Sequence, residues 1–215
     1  MKISYAVTVC NEFIEIQRLI TFLLEHKKPQ DEIVVQMDLN LDDLNTQSLD
    51  KREVFGYIMK LQEQGHIHVV FKPLNSDFAA FKNNLTRHCT GDYIFQIDAD
   101  ELPYDYLIKN LPELLQSNPN SDVFLVPRVN TVSGLTESHI KMWGWNVNEG
   151  GWVNWPDYQW RIWKHKPEIN WINKVHERLD GFSSYTMLPA DENWSLYHPK
   201  TIERRERQNE YYNTL

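Results

Sequence analysis

The chain has 215 residues, 41% of them hydrophobic and 24% charged, with a net charge of −8. Such a chain is long enough to bury its own core and sits in the one-domain range, so disorder, collagen and coiled coil are excluded. The negative balance argues against phosphate-backbone binding, so no nucleic-acid partner is expected.

No apolar run reaches the ~18 residues of a membrane-spanning helix. The N-terminus, MKISYAVTVCNE, has neither a long apolar stretch nor a small-residue cleavage site, so no signal peptide is expected. Cys10 and Cys89 are too few for a disulfide framework and favour a reducing, cytoplasmic location.

Taken in chain order, the first half alternates strands and helices. Ile3–Val9 is a β-rich apolar run. Residues 12–26 carry Phe13, Ile16, Leu19, Ile20, Leu23 and Leu24 at the spacing of an amphipathic helix, with Asn11 as its N-cap. Residues 31–37 form a second strand. Residues 49–64 form a helix that stops at Gly65, and 67–71 a third strand. A helix over 77–88, a break at Gly91 and a strand over 93–97 follow. Residues 104–116 read as a helix that Pro112 kinks or divides. Residues 123–127 read as a fifth strand.

This order predicts an α/β fold around a mostly parallel sheet with right-handed crossovers. Ligands in such sheets bind beyond the carboxyl ends of the strands. Three of those ends, at residues 8–12, 37–43 and 98–101, are polar or acidic.

The second half is less regular. All eight tryptophans lie between Trp143 and Trp194. Residues 131–157 read as loops and short strands, 158–164 as a strand, and 199–213 as a charged terminal helix.

Asp98-Ala99-Asp100-Glu101 runs directly out of the buried strand Tyr93-Ile-Phe-Gln-Ile. Carboxylates this close repel unless a cation neutralises them, and hard divalent ions such as Mg²⁺ or Mn²⁺ suit carboxylate and diphosphate oxygens. With 14 aspartates in 215 residues, chance alone supplies about one D-x-D triplet, so its place at a strand end carries the signal. The competing reading is a solvated turn.

The segment Phe78-Ala-Ala-Phe-Lys82-Asn83, then Thr90-Gly91-Asp92-Tyr93-Ile94, then Asp98-Ala99-Asp100-Glu101 resembles the centre of family 2 glycosyltransferases with the GT-A fold. More narrowly, it is similar to the short bacterial branch that includes lipopolysaccharide core β-glucosyltransferases. Val7-Thr-Val-Cys-Asn11-Glu12 and Asp31-Glu-Ile-Val-Val35 fit the same pattern. Val175-His176-Glu177, Arg161 and Tyr197-His198 continue it more loosely.

The resemblance implies a single GT-A domain over 1–215, with a nucleotide-sugar-binding half (1–130) and a Trp-rich acceptor-side half with a C-terminal helix (131–215). It implies a metal-dependent inverting transfer from a nucleotide sugar, UDP-linked, to a saccharide or other acceptor hydroxyl in glycan or lipopolysaccharide synthesis. Thr8, Asn11, Glu12 and Asp38 would hold the nucleoside, with Asp42 as a second acid. Lys82 and Asn83 stand near the phosphates, Lys82 where arginine is usual, which keeps a cation but loses the planar fork. Leu39 and Asn40 replace small residues at the second strand end. Asp98 would meet ribose or metal, and Asp100 would be the main ligand of Mn²⁺ or Mg²⁺, with His198 completing the shell. The alternative for His198 is a polar helix-entry residue.

An inverting transfer needs a carboxylate to take the acceptor's proton. Glu177 is the first candidate and Asp157 the second; a structural pair of His176 with Glu177 is the alternative. Trp143, Trp145, Trp152 and Trp155 suit either an acceptor platform or a packing layer, whereas Trp160, Trp163 and Trp171 read as core. Arg161 fits an anion contact and a structural ion pair equally. The run Lys200–Arg207 is a solvated face, a segment closing over a diphosphate, or a peripheral membrane contact. The remaining histidines, His26, His66, His68, His88, His139 and His165, carry no supporting context.

Two other readings stay open. One is a GT-A module that binds nucleotide or glycan without turnover. The other is a nucleotidyltransferase, which would need a glycine-rich loop after the first strand; Val9-Cys10-Asn11-Glu12 has no glycine.

Overall fold

The computed structural model describes residues 1–206, apart from the side chains of Asp42 and Asp43. The chain runs β1 (Ile3–Val9), α1 (Phe13–His26), β2 (Glu32–Asp38), a 3-10 turn (Leu41–Thr46), α2 (Leu49–Glu63), β3 (His68–Lys72), α3 (Phe78–Arg87), β4 (Tyr93–Asp98) and β5 (Leu102–Pro103). It continues with α4 (Asp105–Ser117), β6 (Val123–Ser133), α5 (Glu137–Trp143), β7 (Val153–Lys164), β8 (Asn170–Ile172), β9 (Arg178–Asp180), β10 (Tyr185–Met187) and β11 (Leu196–Thr201). Residues 202–206 turn into a helix.

One sheet holds both halves of the chain, in the order β3-β2-β1-β4-β7-β6-β11-β5, with β10 also on β6. β1, β2, β3 and β4 are mutually parallel, as the alternation of strands and helices predicts. β7 enters antiparallel between β4 and β6, which makes the sheet mixed. A separate hairpin, β8–β9, packs on α3.

Most elements follow from local chemistry. In α1, Ile16, Leu19, Ile20 and Leu23 face the core in a single stripe. Its start differs from the expected cap. Glu12, not Asn11, occupies the N-cap position, and its carboxylate accepts the backbone N–H of Cys10 at 2.8 Å and of Asn11 at 3.1 Å. Ser48 and Asp77 cap α2 and α3. Gly91 is required where the chain crosses β1: a Cβ there would lie 2.7 Å from the backbone nitrogen of Ser4.

Three expectations need correction. α4 continues through Pro112 instead of dividing there. β6 does not stop at Pro127 but reaches Ser133; Pro127 falls in the gap between β10, which pairs with residues 123–125, and β11, which pairs with 128–133. The expected terminal helix over 199–213 begins as strand β11, because Pro199 to Thr201 pair with Thr131 to Ser133; the part beyond 206 lies outside the described residues.

The cores divide the tryptophans. Trp163 and Trp171 are buried with Val34, Val70 and Leu85, and Trp160 leans on that cluster. Trp194 leans on the larger cluster on the other face of the sheet. Both cysteines are free, and among the described residues no helix is long and apolar enough to cross a membrane.

Candidate active site

The parallel register sets Thr8 on β1 beside Asp98 on β4 and Gln36 on β2, so the acidic strand ends read from the sequence meet at one edge of the sheet. There Thr8 Oγ1 donates to Asp98 Oδ1 at 2.7 Å, and Gln96 Nε2 donates to the same oxygen at 3.0 Å. Asp98 Oδ2 accepts from Arg161 at 2.7 Å.

Arg161 is 3% exposed and also donates to Glu101 at 2.6 Å, while Glu101 is 1% exposed and takes Arg128 at 3.0 Å. Arg128 reaches on to Asp157 Oδ2 through Nε at 3.0 Å and a terminal nitrogen at 2.7 Å. Acids and bases thus alternate across β4, β7 and β6, as buried charges must if none is to stand unpaired. Arg161 is therefore part of an ion-pair network on β7. Burial opposes ionisation of Asp98, but Arg161 and then Lys82 outweigh it and hold the carboxyl well below the usual range.

The second carboxylate of the turn has different company. Asp100 Oδ2 lies 3.2 Å from His198 Nε2, 3.3 Å from Arg204 and 3.8 Å from Lys200. Burial again opposes ionisation, and His198, Lys200 and Arg204 override it. Arg204 also meets Glu12 at 3.1 Å and Glu15 at 2.9 Å, so residues 202–206 strap β11 to the start of α1.

His198 is held by a residue the sequence reading passed over. Asn130 donates its amide N–H to Asp157 Oδ2 at 2.8 Å, which turns its Oδ1 toward His198 Nδ1 at 2.7 Å. Since Oδ1 can only accept, Nδ1 carries the proton. Burial lowers the His198 pKa, and the hydrogen bond and charge of Asp100 work against that shift. Nε2 faces Asp100 Oδ2 at 3.2 Å, donating to it when the ring is protonated and offering a lone pair when it is neutral.

On the β1–α3 side, Lys82 donates to Glu177 Oε1 at 2.6 Å, lies 4.0 Å from Asp98, and sits 4.6 Å over the Trp171 ring. Glu177 arrives on a loop whose Asn173 and His176 adopt positive φ of 71° and 55°.

Some candidates stand elsewhere. Asn83 spends both arms of its amide on the backbone of Trp171, which fixes β8 to α3 and turns the side chain from the carboxylates. Asp38 accepts from the backbone of Leu74 at 2.8 Å and pairs with Lys51 at 3.6 Å. Asn11 is exposed, and the side chain of Asp42 lies outside the described residues. Arg128 and Asn130 were missed because Pro127 read as a strand end. Their period-2 spacing with Val126 was the available signal.

Glycosyl transferase family 2 matches residues 4–193. The chain belongs to that family. Among solved structures, S. aureus TarS 1-349 in complex with UDP superposes with a TM-score of 0.61 at 16% identity, over 93% of this chain and 60% of that one. Its complex with UDP-GlcNAc gives 0.60 at 15% identity, over 93% and 59%. These likenesses show the GT-A fold, and the chain spans about 60% of the length of those relatives. A comparison with curated proteins finds no match.

Proposed function

We propose that this family 2 chain is a metal-dependent inverting glycosyltransferase that moves a sugar from a nucleotide sugar, UDP-linked, to an acceptor hydroxyl. The observation that carries the reading is the pair of carboxylates, Asp98 and Asp100, leaving β4 next to Thr8 at the ligand-binding edge of the sheet. The TarS complexes with UDP and UDP-GlcNAc support the choice of donor. The similarity of the central segment to lipopolysaccharide core β-glucosyltransferases supports a place in glycan assembly, in the cytoplasm. In this reading, residues 1–130 take the donor and residues 131–215 face the acceptor.

The donor set at Asp100 suits a Mn²⁺ or Mg²⁺ ion. A carboxylate oxygen and an imidazole nitrogen face each other at 3.2 Å, and both are ligand types such an ion takes once the ring is neutral. Asn130 fixes the other ring nitrogen, as the second layer of a metal site does. Among the described residues no third histidine, cysteine or carboxylate joins them, so the diphosphate and water would supply the remaining ligands. Asp98 is the weaker candidate, since its oxygens already take Arg161, Thr8 and Gln96. When bound, the ion would neutralise charge on the departing nucleoside diphosphate.

The chain's own residues account for the rest. Lys200 and Arg204, beside Asp100, stand where phosphate charge would arrive. Glu177 is the acceptor's base. Lys82 anchors its Oε1 at 2.6 Å. Asp157 is unsuited, because Arg128, Asn130 and Gln159 take both its oxygens. The acceptor oxygen bonds to the anomeric carbon as the bond to the diphosphate breaks, and the proton passes to Glu177.

Turnover of a panel of nucleotide sugars with Mn²⁺ tests the reading. Glu177→Gln should lower kcat about 10²–10⁴-fold with donor affinity kept. Unchanged kcat would refute the assignment. Binding without turnover is the second reading, favoured by the ion pairs that occupy Asp98, and donor binding with no transfer to any acceptor would select it.

A further inference from the structure

Trp143, Trp145, Trp152 and Trp155 pack into neither core cluster, although each is only half-buried. Large indole surfaces outside a core ask for another occupant. Trp143 and Trp145 find theirs within the chain. His139 stacks on Trp143 at 5.3 Å, Trp145 lies 4.7 Å from Trp143, and Arg205 sits 5.4 Å over Trp145. Trp152 and Trp155 meet only each other, at 4.8 Å and 65°, with no further ring or cation over them among the described residues.

This corner is built rather than loose. Asn146 and Asn154 bind each other twice, at 2.9 and 2.7 Å, and Asn148 closes the turn onto Trp152 at 2.9 and 3.1 Å. A bulge then aims it. Arg128 pairs with Asp157, yet Asn130, two residues on, pairs with Val153, four residues back. Residues 154–156 are pushed out of the ladder, and Trp155 with them. The corner adjoins the site through Asp157, which holds Asn130, which holds His198 against Asp100.

We infer that Trp152 and Trp155 form the acceptor subsite and that the acceptor is a saccharide. This inference rests on the glycosyltransferase reading above. Sugar rings offer an apolar C–H face and a rim of hydroxyls. Two indole planes meet the face, and the exposed amides of Asn146, Asn148 and Asn154 ring the corner with hydrogen-bonding groups.

The test uses the full chain, α- and β-linked oligosaccharides of glucose and of N-acetylglucosamine as probes, tryptophan-fluorescence titration, and a parallel UDP titration with Mn²⁺. Wild type should bind at least one probe. The Trp152→Ala, Trp155→Ala double variant should weaken that binding at least about tenfold with UDP affinity unchanged, while Trp155→Phe stays within a few fold. Binding to no probe, or undiminished binding in the double variant, overturns the inference. Where the double variant also loses UDP, the single changes decide: Trp155→Gln weaker than Trp155→Phe supports the subsite, and equal binding overturns it. Failure of wild type to bind UDP strikes the transfer reaction instead, and leaves saccharide binding to be read separately.

Discussion

Replacing Arg161 with methionine probes the ion-pair network directly. The side chain is 3% exposed and donates to Asp98 at 2.7 Å and Glu101 at 2.6 Å. Methionine keeps much of the length and none of the charge. Breaking a buried pair by removing one partner costs about 3–5 kcal/mol, because the other charge is left behind. Here Glu101 keeps Arg128 at 3.0 Å, and Asp98 keeps Thr8 at 2.7 Å and Lys82 at 4.0 Å, so the lower end, about 3 kcal/mol, is expected. Urea unfolding at pH 7 measures it. Adding Glu101→Gln removes the charge stranded most deeply, so the double variant should be more stable than the summed single losses by about 1–2 kcal/mol. A single-variant loss under about 1 kcal/mol, or strict additivity, would refute the claim that these charges are buried and mutually dependent.

Two further outcomes concern the frame that carries the site. Burial works against ionisation of Glu32, but Lys2, Ser4 and Thr90 hold its carboxyl at about 2, from 4.5. The folded value lies below the unfolded one, so its stabilisation is present above about pH 4.5 and is lost as pH falls toward 2. Glu32→Gln should cost about 1–2 kcal/mol at pH 7 after solvent screening, and the difference from wild type should fade in acid, as a pH series of urea midpoints will show. At Gly181, φ is +82° and a Cβ would sit 1.8 Å from the carbonyl oxygen of Glu168. Gly181→Ala should therefore lower the melting temperature, with a loss above about 1 kcal/mol, and an unshifted transition would contradict the packing of β9.

The sequence made the parallel half of this protein readable because its periodicities are strong and its turns carry their own chemistry. Asp77 caps a helix that the pattern announces, and Gly65, with φ of 74°, ends one. The strand ends at Thr8, Asp38 and Asp98 were legible for the same reason, since parallel strands place their carboxyl ends together. The rest depends on contacts distant in sequence. Pro127 reads as a stop because proline lacks an N–H, and only the division of β6 between β10 and β11 makes room for it. Arg128 and Asn130 were hidden behind it. The charged run at 200–207 gave no sign that Arg204 would gather Glu12, Glu15 and Asp100, separated from it by up to 192 residues. The strand-like position of Trp163 marked it as core, where it is 1% exposed, but nothing local showed that a bulge would push Trp155 out of the ladder.

Asp100, with His198, Lys200 and Arg204 around it, is the proposed metal-assisted site for a nucleoside diphosphate. Calorimetric titration with UDP, with and without Mn²⁺, on the wild type and on Asp100→Ala tests it most directly. Mn²⁺ should strengthen the binding and the substitution should remove it, with the fold intact by circular dichroism. UDP binding of equal strength with and without the metal, and in both proteins, would contradict it.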